Sequence, residues 1–269
     1  MKADLHVHSC YSDGNMTVEE ILKYAESKKI DVVAITDHDN LDSNSDILNL
    51  KKETKLLLGV ELSTYHNNEN IHILGYFYNN EIKTNEIIEY LKELKDKRDK
   101  RIHKMISKLE TLCGIYIKYE DVVKFAEGAL GRVHVARAIE EKYGCSIDEA
   151  FNRYIGNNAK AYVPTSNFLT KDAIDFLHRN NAIAVIAHPK HIKKNDVLDI
   201  VKLGVDGIEV YYPEHSYDDI NCYLKIANSY NLLVTGGSDF HGIGIREDLG
   251  KSNIQNENVD KFLSKLNIK

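Results

Sequence analysis

Short apolar runs alternate with amphipathic stretches along most of the chain, and this alternation limits the folds open to it. The opening run ADLHV is followed by VEEILKYAESKK (residues 18–29), whose apolar residues recur at helical spacing, and then by the apolar run IDVVAI. Strands that alternate with helices form parallel βαβ units. The 269 residues are enough for one large domain, so we predict an α/β barrel that carries an insertion.

One region departs from this alternation. It begins with NEIIEYLKELKDKRDKRIHKMISKLETL, which is too long and too charged to be a barrel helix alone. We predict a helical insertion, or lid, over residues 81–163, between barrel parts at 1–80 and 164–269. We interpret its charge run KDKRDKR (95–101) as a solvated helix face with i,i+4 ion pairs rather than as a ligand site.

Composition excludes several classes of function. The net charge of −6 argues against a surface built to hold double-stranded nucleic acid, so a polyanionic substrate must meet positive charge locally. No apolar signal core or membrane-spanning run occurs, and the four cysteines are scattered without a CxxC pair. We therefore expect a soluble, cytoplasmic protein with reduced thiols, no membrane partner and no obligate protein partner.

The stretch DLHVHSCYSDG carries two histidines in a predicted strand. Because alternate residues of a strand share a face, His6 and His8 project together, and Leu5 and Val7 point the other way into the sheet. Taken alone, the pair fits two polar residues on a wetted strand face better than it fits a ligand site. The rest of the chain has to decide between this and a ligand site.

More imidazoles and carboxylates occur at the ends of the other predicted strands. They are Asp13, Asp37, His38, Glu61, His72, His188, Asp239 and His241. The functional face of a parallel α/β fold lies where its strands end, so these residues can converge. Without Lys or Arg among them, such a group needs a compensating cation. Nitrogen and oxygen ligands without thiolate suit Mn²⁺, Fe²⁺ or Zn²⁺, and the number of ligands predicts two or three divalent ions.

Five separated motifs carry a resemblance to a known family. In order, HVHSCYSDG, ITDHD, GVELS followed by NIHILGY, AHP and GSDFHG resemble the motifs of the PHP (polymerase and histidinol phosphatase) superfamily. Within it, GRVHVARAI (131–139), KAYVP (160–164) and GIEVYYPEHS (207–216) resemble the branch of nucleoside 3',5'-bisphosphate phosphatases and 5'→3' oligoribonucleases. The resemblance implies a distorted (β/α)7 barrel with a helical insertion.

The resemblance also implies three metal positions. The first takes His6, His8, Glu61 and Asp239; the second takes Glu61, His72 and His188; and the third takes Asp13, His38 and His241. Glu61 then bridges two ions. Asp37 receives no metal in this scheme, and we expect it to orient His38 or its loop.

The implied activity is hydrolysis of a terminal phosphate by a metal-bound hydroxide. Glu61 and Asp239, which hold the ions, are candidate catalytic residues. His215 follows EVYYPE at a strand end and is a candidate donor of the leaving-group proton, with an anchoring role in its loop as the alternative.

Five residues are candidates for substrate binding: Arg132, His134, Arg137, Lys160 and Tyr162. The first three are spaced to share one side of a helix near its N-terminus, where phosphate binds well. For Arg137 the alternative is an ion pair with Glu141.

We expect the substrate to be a small phosphorylated nucleotide, above all a nucleoside 3',5'-bisphosphate, or the 5' end of a short RNA. Two alternatives stay open at this point. One is a phosphatase for histidinol phosphate or another non-nucleotide monoester, and the other is a noncatalytic nucleotide sensor.

Overall fold

The computed structural model describes residues 1–50, 53–126, 130–164, 168–193, 195–244, 248–252 and 254–268. Its strands form one seven-stranded sheet in which the spatial order follows the chain order. They are β1 (Ala3–Val7), β2 (Val32–Ile35), β3 (Lys55–His66), β4 (Glu69–Phe77), β5 (Ala182–Ile186), β6 (Gly207–Tyr211) and β7 (Leu233–Gly236).

Helices follow most of the strands or belong to the predicted insertion. They are α1 (Val18–Ser27), α2 (Asn44–Asn49), α3 (Glu86–Lys108), α4 (Tyr119–Val123), α5 (Arg132–Tyr143), α6 (Ile147–Ala150), α7 (Thr170–Arg179), α8 (Val197–Val201), α9 (Tyr217–Tyr230) and α10 (Asn256–Lys265). Thr17 caps α1 through a capping box with Glu20, as the sequence spacing indicates. No helix in the described ranges combines the length and apolar character needed to cross a membrane.

The two edges of the sheet almost meet, so the sheet forms a nearly closed barrel. Val7 bridges Phe240, just after β7, and the backbone N–H of His8 donates to the carbonyl of Phe240 at 2.8 Å. An apolar cluster fills the end of the barrel where the parallel strands begin, and α10 covers it, with the Phe262 ring packed edge-on at 4.8 Å from the Tyr76 ring. Buried polar side chains therefore lie at the opposite rim of the barrel.

The expectation of parallel βαβ units is wrong for β4. This strand runs antiparallel to both β3 and β5, whereas the other neighbouring pairs are parallel. Only Asn67 and Asn68 separate β3 from β4, and both have positive φ (42° and 66°). Asparagine tolerates this left-handed conformation, which two-residue hairpin turns require, so a hairpin replaces a helical crossover here.

The face predicted for Val7 is also wrong. Leu5 belongs to the apolar cluster inside the barrel. Val7 belongs instead to a second apolar cluster, which includes Ile21 of α1 and Ile35 of β2. The pairing of β1 with β2 shifts register between Asp4 and Val7, as a β-bulge does. The bulge changes which face each residue occupies, while His6 and His8 still meet, with their Nε2 atoms 3.1 Å apart.

The helices α3 to α6 have an apolar cluster of their own, separate from the two clusters of the barrel. Met105 of α3, Val135 and Ile139 of α5 and Ala150 of α6 are fully buried in it. The boundaries 81–163 stay a prediction, although this separate core is what an inserted subdomain needs.

Candidate metal centre

The structure brings all nine sequence-predicted metal ligands together at one mouth of the barrel. They come from β1 (His6 and His8 just beyond it), from the loops after β1 and β2 (Asp13, His38), from β3 and β4 (Glu61, His72), and from the segments after β5 and β7 (His188, Asp239, His241). His72 lies near the start of β4, but β4 is antiparallel, so its start lies beside the rim where β3 leaves the barrel.

Three groups of side chains have ligand atoms that all lie within 4.8 Å of one another: His6, His8, Glu61 and Asp239; His8, Asp13, His38 and His241; and His38, Glu61 and His72. The first is the same as the first predicted set, and the second adds His8 to the third predicted set. In the last group His38 stands where His188 was expected. His188 is nevertheless close, since its Nε2 lies 2.9 Å from Glu61 Oε1.

The carboxylate of Glu61 stands at the centre of these groups. Its Oε1 also lies 2.8 Å from His72 Nδ1. Its Oε2 faces three further imidazoles at 3.1 to 3.3 Å, those of His38, His8 and His6. A single carboxylate surrounded by five imidazoles is placed to bridge more than one cation.

The donor atoms fit divalent ions on physical grounds. Asp13 Oδ1, His38 Nδ1 and Glu61 Oε2 are buried without a hydrogen-bond partner in the described part of the chain. Such orphaned polar atoms are costly unless something satisfies them. In addition, His6 Nε2 and His8 Nε2 lie only 3.1 Å apart. A cation bound to both nitrogens would replace the proton that the two share without it.

The protonation states favour the forms that bind cations. Burial lowers the pKa of His38 to about 3, and burial together with the neighbouring His8 lowers the pKa of His241, so both imidazoles are neutral at pH 7. Burial alone would raise the pKa of Asp13 and of Glu61, but the surrounding imidazoles outweigh it and hold both pKa values well below the ordinary range. Asp13 and Glu61 are therefore ionised and His38 and His241 neutral, which are the forms that bind cations.

Glu209 of β6 supports the centre and was missed at the sequence level. Its carboxylate is fully buried, lies 3.1 Å from His6 Nδ1 and accepts the backbone N–H of His188 at 2.7 Å. Because an ionised carboxylate only accepts, His6 carries a proton on Nδ1 and directs Nε2 at the centre. Burial lowers the pKa of His6, but Glu209 and Glu61 outweigh it and raise that pKa to about 10. In the metal-free protein His6 therefore also carries a proton on Nε2, which a bound cation must displace. The sequence did contain one sign of this role, which is a glutamate inside the apolar run GIEVYY.

Asp4 holds the segment that carries Asp239. This fully buried carboxylate accepts hydrogen bonds from the backbone N–H of Ser238 at 2.8 Å and of Gly250 at 2.7 Å. The pKa of Asp4 is raised, because the effect of burial outweighs that of the hydrogen bonds, which lower it. Asp239 itself has a φ of 54°, and His188 a φ of 26°, so two of the nine side chains leave a strained, left-handed backbone.

Asp37 joins two loops of the centre. Its carboxylate accepts hydrogen bonds from the Ser9 backbone N–H at 2.7 Å, the Ser9 hydroxyl at 2.7 Å and the Ser12 hydroxyl at 2.6 Å. These contacts tie the loop that carries Asp37 and His38 to the turn after β1 that presents Asp13. The supporting role of Asp37 stays a prediction, and these contacts are consistent with it.

The N-terminus of α5 lies beside the centre. A Cβ built on Gly131, the residue before α5, would lie 4.0 Å from Asp13 Oδ2. The buried His134 accepts the backbone N–H of Gly131 on its Nδ1 at 3.0 Å, and burial lowers the pKa of His134 to about 4, so it is neutral. The start of α5, where a helix favours anions, therefore lies beside the mouth of the barrel.

The other predicted substrate residues take separate positions. Arg132 donates to Asn157 Oδ1 at 2.8 Å, and its guanidinium lies over the rings of Phe151 and Tyr162. The hydroxyl of Tyr162 accepts from Asn70 Nδ2 at 3.3 Å, and Lys160 is exposed.

The alternative role of Arg137 is not observed. Its proposed partner Glu141 pairs with Lys124 instead, and Arg137 forms no ion pair with any residue that the structure describes. Arg137 is partly buried on α5, one turn beyond His134. Its charge is thus left for a ligand or for solvent.

His215 has contacts that favour the anchoring alternative over proton donation. Its Nδ1 donates to the carbonyl of Val210 at 2.8 Å, and its ring packs 5.2 Å from the ring of Tyr212. Burial lowers the pKa of His215, so the imidazolium that would donate a proton is disfavoured. Tyr212 in turn donates to Asp239 Oδ2 at 3.2 Å, which links this loop to the centre.

Comparison with known proteins gives consistent matches. The family model described as PHP domain matches residues 4–163. A 5'-3' exoribonuclease from Haemophilus influenzae is 32% identical over 251 residues, which cover 89% of this chain and 90% of that protein. A 3',5'-nucleoside bisphosphate phosphatase from Chromobacterium violaceum is 27% identical over 252 residues, covering 90% and 87%. The crystal structure of a candidate metal-dependent phosphoesterase from Bifidobacterium adolescentis superposes with a TM-score of 0.83 at 25% identity, covering 98% and 96%.

Proposed function

Because this chain belongs to the PHP domain family, we propose that it is a metal-dependent phosphoesterase that removes a terminal phosphate from small nucleotides. The proposed substrates are nucleoside 3',5'-bisphosphates and the 5' ends of short RNA, in line with two relatives named 5'-3' exoribonuclease and 3',5'-nucleoside bisphosphate phosphatase. The observation that carries the proposal is the buried cluster of nitrogen and oxygen donors beside the N-terminus of α5. The donor cluster suits divalent cations, and the N-terminus of α5 suits the substrate phosphate that those cations attract.

The proposed ligands are the nine residues gathered at the barrel mouth, with Glu61 shared between positions. When bound there, divalent ions such as Mn²⁺, Fe²⁺ or Zn²⁺ acidify water and neutralise phosphate oxygens. Glu61 and Asp239 act by holding their oxygens at fixed points within 3.5 Å of His6 Nε2. Glu209 fixes the orientation of His6, so the centre is preorganised before substrate arrives.

We assign the substrate phosphate to the gap between this centre and α5. The backbone N–H groups at the start of α5 favour an anion, and Arg132 and Arg137 add positive charge on the same helix. His134 is neutral and buried, so its role is to shape the turn at Gly131 and not to supply charge. Lys160 and Tyr162 lie farther along the insertion and are proposed contacts for the nucleoside part of the substrate.

The proposal includes a location and a mode of action. None of the four cysteines, all of which lie in the described ranges, forms a disulfide, and reduced thiols persist in the cytoplasm, which supports a cytoplasmic enzyme. The proposed partner is the small nucleotide or RNA end itself, with no obligate protein partner.

The test is phosphate release by protein loaded with Mn²⁺ on four substrates side by side: adenosine 3',5'-bisphosphate, AMP, a short 5'-phosphorylated RNA and histidinol phosphate. We expect the highest kcat/KM on the bisphosphate or the RNA. Glu61→Gln should abolish release on every substrate, because it removes the shared charge of the centre. Glu257→Gln, at an exposed glutamate of α10, is the matched control and should act as the wild type does.

Three results would contradict the proposal in different ways. Preference for histidinol phosphate would keep the metal centre and replace the substrate class. Binding of the bisphosphate without any release of phosphate would indicate a sensor. Release that persists in the Glu61→Gln variant would remove the proposed centre from the reaction.

A further inference from the structure

Tyr212, the residue directly after β6, contacts two of the proposed metal ligands. The neighbours of β6 in the sheet are β5 and β7, and the segments after those strands carry His188 and Asp239. The ring centre of Tyr212 lies 5.7 Å from that of His188, and its hydroxyl donates to Asp239 Oδ2 at 3.2 Å. Although β6 supplies none of the nine proposed ligands, it therefore reaches one ligand on each side.

The two carboxylate oxygens of Asp239 face different groups. Its Oδ1 lies 3.2 Å from His8 Nε2 and 3.5 Å from His6 Nε2, so it points into the centre. Its Oδ2 accepts the hydroxyl of Tyr212. A carboxylate can bind a cation through one oxygen or through both. A hydrogen bond that occupies Oδ2 favours binding through Oδ1 alone.

Tyr212 is itself held firmly enough to fix another side chain. It is 4% exposed, and its ring packs 5.2 Å from the ring of His215. Its backbone carbonyl accepts the N–H of His215 at 3.0 Å, and the carbonyl of Tyr211 accepts the N–H of Gly237 at 3.0 Å. The second of these bonds ties β6 to the segment that leads to Asp239. The barrel therefore sets the position of the Tyr212 hydroxyl.

Asp239 is a residue whose side chain needs such support. Its φ of 54° places it in the left-handed region, which a residue other than glycine keeps only when its surroundings hold it there. The Asp4 carboxylate accepts the backbone N–H of Ser238 at 2.8 Å and so holds the main chain before Asp239. The Tyr212 hydroxyl holds the side chain. The two contacts together determine where Asp239 Oδ1 lies.

We propose that Tyr212 is a positioning residue for the metal centre. Its hydroxyl keeps Oδ2 of Asp239 away from the centre, so that Oδ1 alone is presented to an ion. The inference rests on the part of the proposed function that places metal at the barrel mouth, and it is independent of the substrate. Tyr212 acts through Asp239 and does not touch the reacting atoms.

The effect is confined to one ion. Within the described ranges, Asp239 belongs to a single group of possible ligands, together with His6, His8 and Glu61. The group that contains Asp13 and His241 does not include it. Loss of the Tyr212 hydroxyl should therefore weaken one metal position and leave the Asp13 position as it is.

The first test measures metal retention in Tyr212→Phe, which loses the hydroxyl and keeps the ring. Protein loaded with Mn²⁺ is dialysed against increasing concentrations of a chelator, and the ions left on each chain are counted by elemental analysis. We expect one ion to be held about 10- to 100-fold more weakly than in the wild type, with the others retained as before. Tyr143→Phe is the control, because its hydroxyl accepts the backbone N–H of Tyr116 in the insertion at 2.8 Å. It should retain every ion as the wild type does.

The second test separates positioning from a general contribution to stability. Bound metal raises the melting temperature by an amount that grows with affinity. Addition of Mn²⁺ should therefore raise the melting temperature of Tyr212→Phe less than it raises those of the wild type and Tyr143→Phe. The Mn²⁺ concentration that gives half-maximal phosphate release should rise by the same factor as the metal dissociation constant. With excess Mn²⁺, the KM for p-nitrophenyl phosphate should stay within about threefold, because Tyr212 does not touch substrate.

The outcomes distinguish this inference from the proposed function. Tyr212→Phe that melts lower without metal but holds all ions like the wild type would assign Tyr212 a structural role only and overturn the inference. Loss of all ions together would also overturn it, because the effect would not act through Asp239. Weaker binding of one ion, in a protein that hydrolyses none of the substrates, would support the inference and overturn the proposed function. A wild-type protein that binds no Mn²⁺ would overturn both.

Discussion

Replacing Glu209 by glutamine tests whether a buried carboxylate outside the centre controls its metal affinity. Glu209 lies 3.1 Å from His6 Nδ1 and is the first charge among those that raise the pKa of His6 to about 10. Glu209→Gln keeps the shape and removes the charge. His6 then loses the partner that fixes its proton on Nδ1, and its Nε2 becomes a weaker and less well-oriented ligand.

The expected loss is about 10- to 100-fold in the affinity of the most tightly held ion, or about 1.4 to 2.7 kcal/mol. The assay is competition with a chelator, followed by elemental analysis of the ions that remain bound. Excess metal should restore most of kcat, because Glu209 does not touch substrate. Glu257→Gln again serves as the control. Unchanged metal retention in Glu209→Gln, with intact folding, would refute the reasoning that His6 depends on this carboxylate.

Three further predictions concern stability. In metal-free protein the pKa values of Asp13 and Glu61 are held below their ordinary values of 3.8 and 4.5, so their ionised forms stabilise the fold above those values. The melting temperature should therefore fall as pH drops through about 4, and a flat profile between pH 6 and 3 would contradict this. Arg98→Met leaves the buried Asp39 carboxylate without its cation and should cost about 3 to 5 kcal/mol in urea unfolding, with a smaller loss in the double variant that adds Asp39→Asn. Phe262→Ala, which opens a cavity beneath the barrel, should cost about 3 to 5 kcal/mol in the same assay, and a loss under about 1 kcal/mol would show that α10 does not close the core.

The candidate metal residues could be chosen from the sequence because all but Asp13, which lies in the loop after β1, stand on or just after an apolar run. His188 follows IAVIA, and Asp239 follows the run that ends in VTGGS. In a sheet whose strands mostly run parallel, the ends of such runs meet at one rim, so position along the chain is enough to suggest proximity. The nine residues do meet, although the sharing of His8 and His38 between groups depends on distances that spacing does not contain.

Other features depend on packing that no local pattern carries. The reversal of β4 rests on two asparagines, Asn67 and Asn68, whose positive φ allows a hairpin in place of a crossover. Glu209 and Arg101 look like ordinary charged residues in sequence. Only the tertiary structure shows that Glu209 is buried beside His6 and that Arg101 is 8% exposed, so the interpretation of the 95–101 run as a solvated face is wrong for Arg101.

The place where the insertion leaves and re-enters the barrel has an evolutionary consequence. Phe77, the last residue of β4, pairs directly with Ala182, the first residue of β5, so everything between them is a loop whose two ends are already held together. Doubling the length of such a loop costs only about 0.6 kcal/mol in closure entropy. The part of this segment that forms α4 to α6 has an apolar core separate from that of the barrel, so it can be exchanged, lengthened or redesigned while α7, the strand register and the metal ligands stay the same. A scaffold of this kind can acquire new substrates by replacing one module, and the same junction is the natural place to graft one in the laboratory.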